Sequence, residues 1–273
     1  MIKLLVTDVD GTLLCSDHRT LSQKNIQAVR RCVKNGVQVC IASGRGFPGL
    51  LDIAKELGLN DTLHIADNGA TLFNTKGEFE VVSPMADHAY HQLIETFAQM
   101  KMPYCVYTSN TARYNEASAC IKDNPMLTNN GIPLEMGDTV GIQQVTKVLC
   151  LPKNREEGEV IINSMPQGVF GCISGTYDNG KKIIIDCIPG DINKGKGILN
   201  LLKHFPDIDI SEVACAGDSP NDLEMFQTVE TGFAVKGAHE AVLEAASVKL
   251  ESTCDESAVA EAIEKYILVS QEV

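Results

Sequence analysis

The sequence predicts an α/β fold: a Rossmann-like parallel-sheet core domain interrupted by an inserted α+β domain. Short β-rich apolar runs alternate with helical stretches at the start of the chain, and the same texture returns at its end. The middle reads differently, with longer strand-like runs and two amphipathic stretches. Strand–helix–strand units with short links imply parallel strands and right-handed crossovers.

The first strand is expected over Ile2 to Thr7, an apolar run ending at Asp8. Ser22 has the chemistry of an N-cap for a helix reaching Asn35, and Gly36 stands as its stop signal. Val37 to Ala42 reads as the next buried strand, followed by a Gly-rich turn and a helix over Phe47 to Leu57. Leu63 to Ala66 makes a third strand. Between Pro84 and Pro189 the helical stretches are Asp87 to Met100 and Arg155 to Ser164. Strand-like runs lie at Tyr104 to Thr108, Thr146 to Leu151, Val169 to Ser174 and Lys182 to Cys187. Ser174-Gly-Thr-Tyr177-Asp178 reads as a hairpin turn, with a substrate-facing loop as the alternative. A helix from Lys194 to His204, a strand from Val213 to Ala216 and a helix from Asn221 to Phe226 restore the alternating pattern. The expected boundaries are a core of 1–83 plus 190–273 and an insert of 84–189.

Composition narrows the function. The chain has 273 residues, 44% hydrophobic and 22% charged, which is globular usage. No apolar run approaches the roughly 20 residues a membrane span needs. The apolar stretch before Asp8 is too short for a signal peptide. Ten cysteines are scattered singly without a CxxC pair, so buried reduced thiols and a cytoplasmic location are expected. A formal net charge of -13 repels nucleic acid and anionic lipid, so neither is expected as a partner. An anionic substrate would need a local cation and a few basic groups. Oligomeric state is not readable.

Asp8-Val9-Asp10-Gly11-Thr12 puts two carboxylates at the carboxyl end of the first strand, the edge where open α/β sheets bind ligands. Gly217-Asp218-Ser219-Pro220-Asn221-Asp222 adds two more after another apolar run. Two like charges about 4 Å apart repel by roughly 4 kcal/mol at an effective dielectric near 20. A hard divalent cation removes that penalty, and Mg2+ suits a site of few carboxylates plus phosphate and water. Ser43-Gly44-Arg45 offers a hydroxyl and backbone N–H groups at an expected helix entrance, a seat for phosphate oxygens. Lys194 stands at a helix start, where the macrodipole disfavours a cation unless an anion lies nearby.

DVDGT at Asp8, ASGR with Ser43, NKG with Lys194 and GDSPND at Asp218 to Asp222 resemble, in that order, the four motifs of the haloacid dehalogenase superfamily. The closest likeness is to its Cof-type phosphatases with a large α/β cap, and Asn68-Gly69-Ala70 resembles the segment leading to that cap. The resemblance implies a Mg2+-dependent phosphatase acting on a small phosphorylated metabolite, a sugar phosphate foremost, with nucleotides and phosphorylated cofactors as the other classes. Asp8 would be the nucleophile and Asp10 the general acid and base. Mg2+ would be held by the Asp8 side chain, the Asp10 carbonyl and Asp218, supported by Asn221 and Asp222. Ser43, Gly44 and Lys194 would bind the transferring phosphoryl group.

Two decoys compete. Gly44-Arg-Gly46-Phe-Pro-Gly49 fits the dinucleotide fingerprint with Asp67 as its ribose acid, but it leaves DVDGT and GDSPND unexplained. Gly190 to Gly197 nearly matches a phosphate loop, with Gly197 in place of the hydroxyl residue. A phosphomutase and a non-catalytic binder are the other rivals. The mixed middle segment argues against the first, and the presence of both Asp8 and Asp10 against the second.

Overall fold

β1 (Leu4–Asp8) is buried along its whole length and pairs in parallel with strands on both sides. The computed structural model describes residues 1–124, 132–177 and 182–269. From β1 the chain enters α1 (Gln23–Lys34), whose N-cap Ser22 accepts the Asn25 N–H at 3.0 Å. β2 (Gln38–Ala42) pairs with β1, and α2 (Leu51–Leu57) leads to β3 (His64–Ala66). The expected helix from Phe47 starts late: Phe47–Gly49 is a single 3-10 turn, because Gly46, Pro48 and Gly49 resist a continuous helix. A tight turn at Asp67–Gly69 folds β4 (Thr71–Phe73) back antiparallel onto β3, and β5 (Phe79–Val81) follows.

Two compact units result. The first comprises Met1–Arg45, Leu50–Glu80 and Asn193–Val273; the second comprises Gly46–Gly49 and Val81–Ile192.

In the second unit, α3 (Asp87–Gln99) precedes β6 (Tyr104–Tyr107), β7 (Ala112–Tyr114), β8 (Leu134–Met136) and β9 (Lys147–Cys150). Then come α4 (Arg155–Asn163), β10 (Val169–Tyr177) and β11 (Lys182–Pro189). The sheet order is β10-β11-β9-β6-β7-β8. Leu93, Ile94 and Phe97 of α3 and Ile161 of α4 pack on Val106, Val148, Cys150 and Ile185. Each such fully buried side chain contributes about 1.5–3 kcal/mol. The anticipated turn at Ser174 to Asp178 is instead strand as far as Tyr177, and Asp178 lies outside the described residues.

The chain returns to the first unit through α5 (Lys194–Leu202), β12 (Val213–Gly217), α6 (Leu223–Thr228), β13 (Thr231–Ala234), α7 (Glu240–Ala245), β14 (Val248–Lys249) and α8 (Ala258–Ala262). The first sheet runs β14-β13-β12-β1-β2-β3-β4-β5, parallel from β14 to β3. This is the α/β class expected from the sequence, a parallel-sheet core interrupted by a mixed α+β unit.

All ten cysteines are unpaired; six are buried and Cys120 alone is exposed. Burial pushes the thiols of Cys32, Cys40 and Cys105 up to about 12. Among the described residues no helix is long and apolar enough to cross a membrane.

Candidate active site

β1 is where the sheet order reverses: β2 and β3 extend to one side, β12 and β13 to the other. Such a switch point opens a crevice beyond the carboxyl ends of the strands. Register pairs Asp8 with Ala42 and Thr7 with Ala216. Asp8, Ser43 and Asp218 therefore leave the sheet from neighbouring strand ends.

Lys194 enters from the first turn of α5. Its Nζ donates to Asp8 Oδ1 at 2.5 Å and to Asp222 Oδ1 at 2.6 Å, and the side chain is only 1% exposed. These are the anions that a lysine at a helix start calls for. Glycines let α5 approach closely enough. A Cβ on Gly195 would lie 2.4 Å from the Glu224 carbonyl oxygen, and one on Gly197 would lie 2.9 Å from Ile65 Cγ2. The same packing explains why Gly197 carries no hydroxyl, which removes the phosphate-loop reading.

Carboxylate oxygens of Asp8, Asp218 and Asp222 lie within 4.8 Å of one another. Three carboxylates face one ammonium, so ionisation of all of them leaves a surplus of negative charge. Burial, then the neighbouring Asp222, raises the Asp8 pKa well above the usual carboxylate range, and Lys194 offsets this in part. Asp218 is raised by the same two causes, opposed by hydrogen bonds from Thr12 and Ser219. Burial alone would lower Lys194, but Asp222 and Asp8 overcome it and the net shift is upward. Asp8 Oδ2 is buried with no hydrogen-bond partner among the described residues. An orphaned carboxylate oxygen costs about 1–3 kcal/mol or more. An all-oxygen donor set, a charge surplus and an orphaned oxygen together fit a hard divalent cation.

Further contacts fix the cluster. Asp222 Oδ2 accepts the N–H groups of Asp218 and Ser219, each at 3.0 Å. Asp218 accepts the hydroxyls of Thr12 and Ser219, again at 3.0 Å each. Gly11, at φ +82°, lies so close that a Cβ would sit 2.6 Å from Asp218 Oδ2. Ser43 is buried and its Oγ accepts the Arg45 N–H at 3.1 Å. Gly44 lies under the Asn68 carboxamide, and Asn68 Oδ1 accepts from Asn221 Nδ2 at 3.3 Å. Ser43 stands at a strand exit and not at a helix entrance, since α2 starts only at Leu51.

The Asp10 side chain is not one of the three grouped carboxylates and is held by other partners. Arg45 Nε donates to Asp10 Oδ2 at 2.8 Å, Arg45 Nη2 reaches Oδ1, and His18 Nδ1 stands 3.2 Å from Oδ1. Arg45, His18, Thr12 and Ser219 are contacts the sequence alone does not assign. Arg45 alone carried a signal, as the cation directly after Ser43-Gly44. Asp67, the candidate ribose acid, is buried and accepts the Thr71 hydroxyl at 2.8 Å, so it stands in the turn and not at a nucleotide edge.

Comparison with known proteins identifies the family. Residues 5–263 match the family model for haloacid dehalogenase-like hydrolases. The chain is 28% identical to YxeH of Bacillus subtilis over 280 residues, covering 98% of this chain and 99% of that protein. It is 26% identical to the phosphoglycolate phosphatase of Metallosphaera sedula over 253 residues, covering 92% and 93% of the two chains. A haloacid dehalogenase-like hydrolase from Bacteroides thetaiotaomicron superposes with a TM-score of 0.80 at 25% identity, over 97% of this chain and 99% of that one. TM0651 from Thermotoga maritima shares the fold at TM-score 0.82 and 22% identity, over 97% of each chain. A family match across nearly the whole length decides the assignment: the chain belongs to the haloacid dehalogenase-like hydrolase family, as a phosphatase of its Cof-type branch.

Proposed function

We propose that the chain is a Mg2+-dependent phosphatase that hydrolyses a small phosphate monoester, a sugar phosphate foremost, through an aspartyl-phosphate on Asp8. The reading rests on one observation: three carboxylates and Lys194 converge, with one buried Asp8 oxygen unpartnered among the described residues. The segment 84–189 is read as a cap on a hydrolase core formed by 1–83 and 190–273, and the enzyme as cytoplasmic.

Asp8, Asp218 and the Asp10 carbonyl would hold Mg2+, which when bound supplies charge neutralisation at the phosphoryl oxygens. Lys194 adds a second positive charge beside Asp8, so the carboxylate meets a phosphate dianion without prohibitive repulsion. Ser43 and the Gly44 backbone bind and orient phosphoryl oxygens. The Asp8 carboxylate attacks phosphorus and the ester P–O bond breaks. The departing alkoxide takes its proton from Asp10. Asp10, now a carboxylate, accepts a proton from water, whose oxygen attacks the aspartyl-phosphate and releases inorganic phosphate and free Asp8. Asn221 and Asp222 support the site, Asp222 by fixing Lys194 and the Asp218 backbone.

The test is phosphate release from p-nitrophenyl phosphate and a panel of about a hundred phosphate esters, with and without Mg2+. Turnover that needs Mg2+ and disappears in Asp8→Asn is the expected result. Absence of turnover on every ester sinks the reading, and transfer of the phosphoryl group to a sugar in place of water converts it to a phosphotransferase.

A further inference from the structure

The turn between β3 and β4 is built at a conformational cost. Asp67 has φ 51°, Asn68 φ 54° and Gly69 φ 107° in succession. Only Gly takes the left-handed region freely, and each non-glycine held there costs on the order of 1–3 kcal/mol. Gly69 is explained by packing, since a Cβ there would lie 2.3 Å from the Asn193 carbonyl oxygen. Asp67 is explained by its buried bond from Thr71. Asn68, a residue type that tolerates this conformation, directs its carboxamide to the loops carrying Ser43 and Asn221.

Its N–H donates to the Ser43 carbonyl oxygen at 3.0 Å, next to the Asp67 N–H on the Arg45 carbonyl oxygen at 2.9 Å. These two bonds bracket Gly44. The carboxamide then lies so close over Gly44 that a Cβ would meet Asn68 Oδ1 at 2.9 Å. The same Oδ1 accepts from Asn221 Nδ2 at 3.3 Å. One side chain therefore touches both the loop carrying Ser43 and the loop carrying Asn221. An amide has a donor end and an acceptor end. Engaging the donor end of Asn221 leaves its oxygen for a cation or a cation-bound water, the ligand type Mg2+ requires.

We propose that Asn68 is a positioning residue: it sets which end of the Asn221 amide serves the metal and ties that choice to the phosphoryl-binding loop. The metal and phosphate subsites are thereby coupled through one carboxamide. The proposal rests on the Mg2+-phosphatase reading given above.

The test uses the full chain with Asn68→Gly, which relieves the backbone while removing the amide, and Asn68→Asp, which keeps an acceptor for Asn221. Mg2+ binding is measured by titration calorimetry with and without inorganic phosphate, and thermal unfolding is followed in parallel. In the wild type, phosphate is expected to tighten Mg2+ binding. In Asn68→Gly, Mg2+ affinity falls about 5–10-fold and the phosphate effect shrinks, while the unfolding midpoint holds or rises. Asn68→Asp retains both. Wild-type Mg2+ affinity in Asn68→Gly overturns the proposal, as does a loss in both variants that tracks a lower unfolding midpoint. A wild-type chain that binds no Mg2+ overturns the metal reading beneath it, an outcome distinct from the first because there wild-type binding stays intact.

Discussion

Arg45 grips Asp10 from two directions, its Nε donating to Oδ2 at 2.8 Å and its Nη2 reaching Oδ1. A planar guanidinium is suited to that two-point hold, whereas a lysine is a single point charge. If Asp10 moves the protons, its placement depends on this fork. General acid–base catalysis supplies about 10²–10⁴ in rate. Arg45→Lys is expected to lower kcat by about 10–100-fold with a smaller change in KM, measured by phosphate release. An unchanged kcat would show that the fork does not govern Asp10 during turnover.

Asp8→Asn is expected to abolish turnover yet to make the metal-free protein more stable. The ionised Asp8 side chain is disfavoured by burial and by Asp222, so the neutral amide avoids a penalty. The expected rise is roughly 2–4 °C in the unfolding midpoint without metal. Mg2+ should then stabilise the wild type more than the variant, because a ligand that binds only the folded state stabilises it by mass action. Differential scanning calorimetry with EDTA and with Mg2+ decides both points.

Gly195→Ala tests how tightly α5 is seated. The added methyl would lie 2.4 Å from both the Glu224 carbonyl oxygen and Thr228 Oγ1. Overpacking of this kind costs about 1–3 kcal/mol. Because Lys194 precedes Gly195, the displacement should also weaken turnover. A variant as stable and active as the wild type would contradict the packing.

His64 gives a pH dependence. It is fully buried between the Ile41 N–H and the Leu59 carbonyl oxygen, and burial lowers its pKa from 6.5 to about 4. The unfolded chain therefore binds the extra proton between those values, so stability is complete above pH 6.5 and declines as pH falls toward 4. At about 1.4 kcal/mol per pKa unit the loss totals about 3 kcal/mol. His64→Asn should flatten the urea-unfolding free energy over this window relative to the wild type. Equal slopes would refute the assignment.

What the sequence made legible was the chemistry that sits at strand ends. Asp8, Ser43 and Asp218 each follow an apolar run, and adjacent parallel strands bring such positions together without further information. Lys194 announced itself by standing where a helix dipole disfavours it. His18 was illegible because it reaches Asp10 only through the curl of the loop after β1, where its own φ is 56°. β4 and β5 are three residues each, too short for periodicity to register. β10 continues through Ser-Gly-Thr because an irregularity between Ile173 and Gly175 keeps Thr176 and Tyr177 paired with β11. Residues that favour turns were overridden there by a neighbouring strand.

The cysteine inventory has a practical corollary. Thiols shielded by the interior react slowly with electrophiles, and those at Cys32, Cys40 and Cys105 are also held protonated. Cys120 faces solvent. A brief, substoichiometric maleimide treatment of the native protein should thus attach a fluorophore chiefly at one known place in the second unit, supplying a spectroscopic reporter without mutating any of the other nine sulfurs.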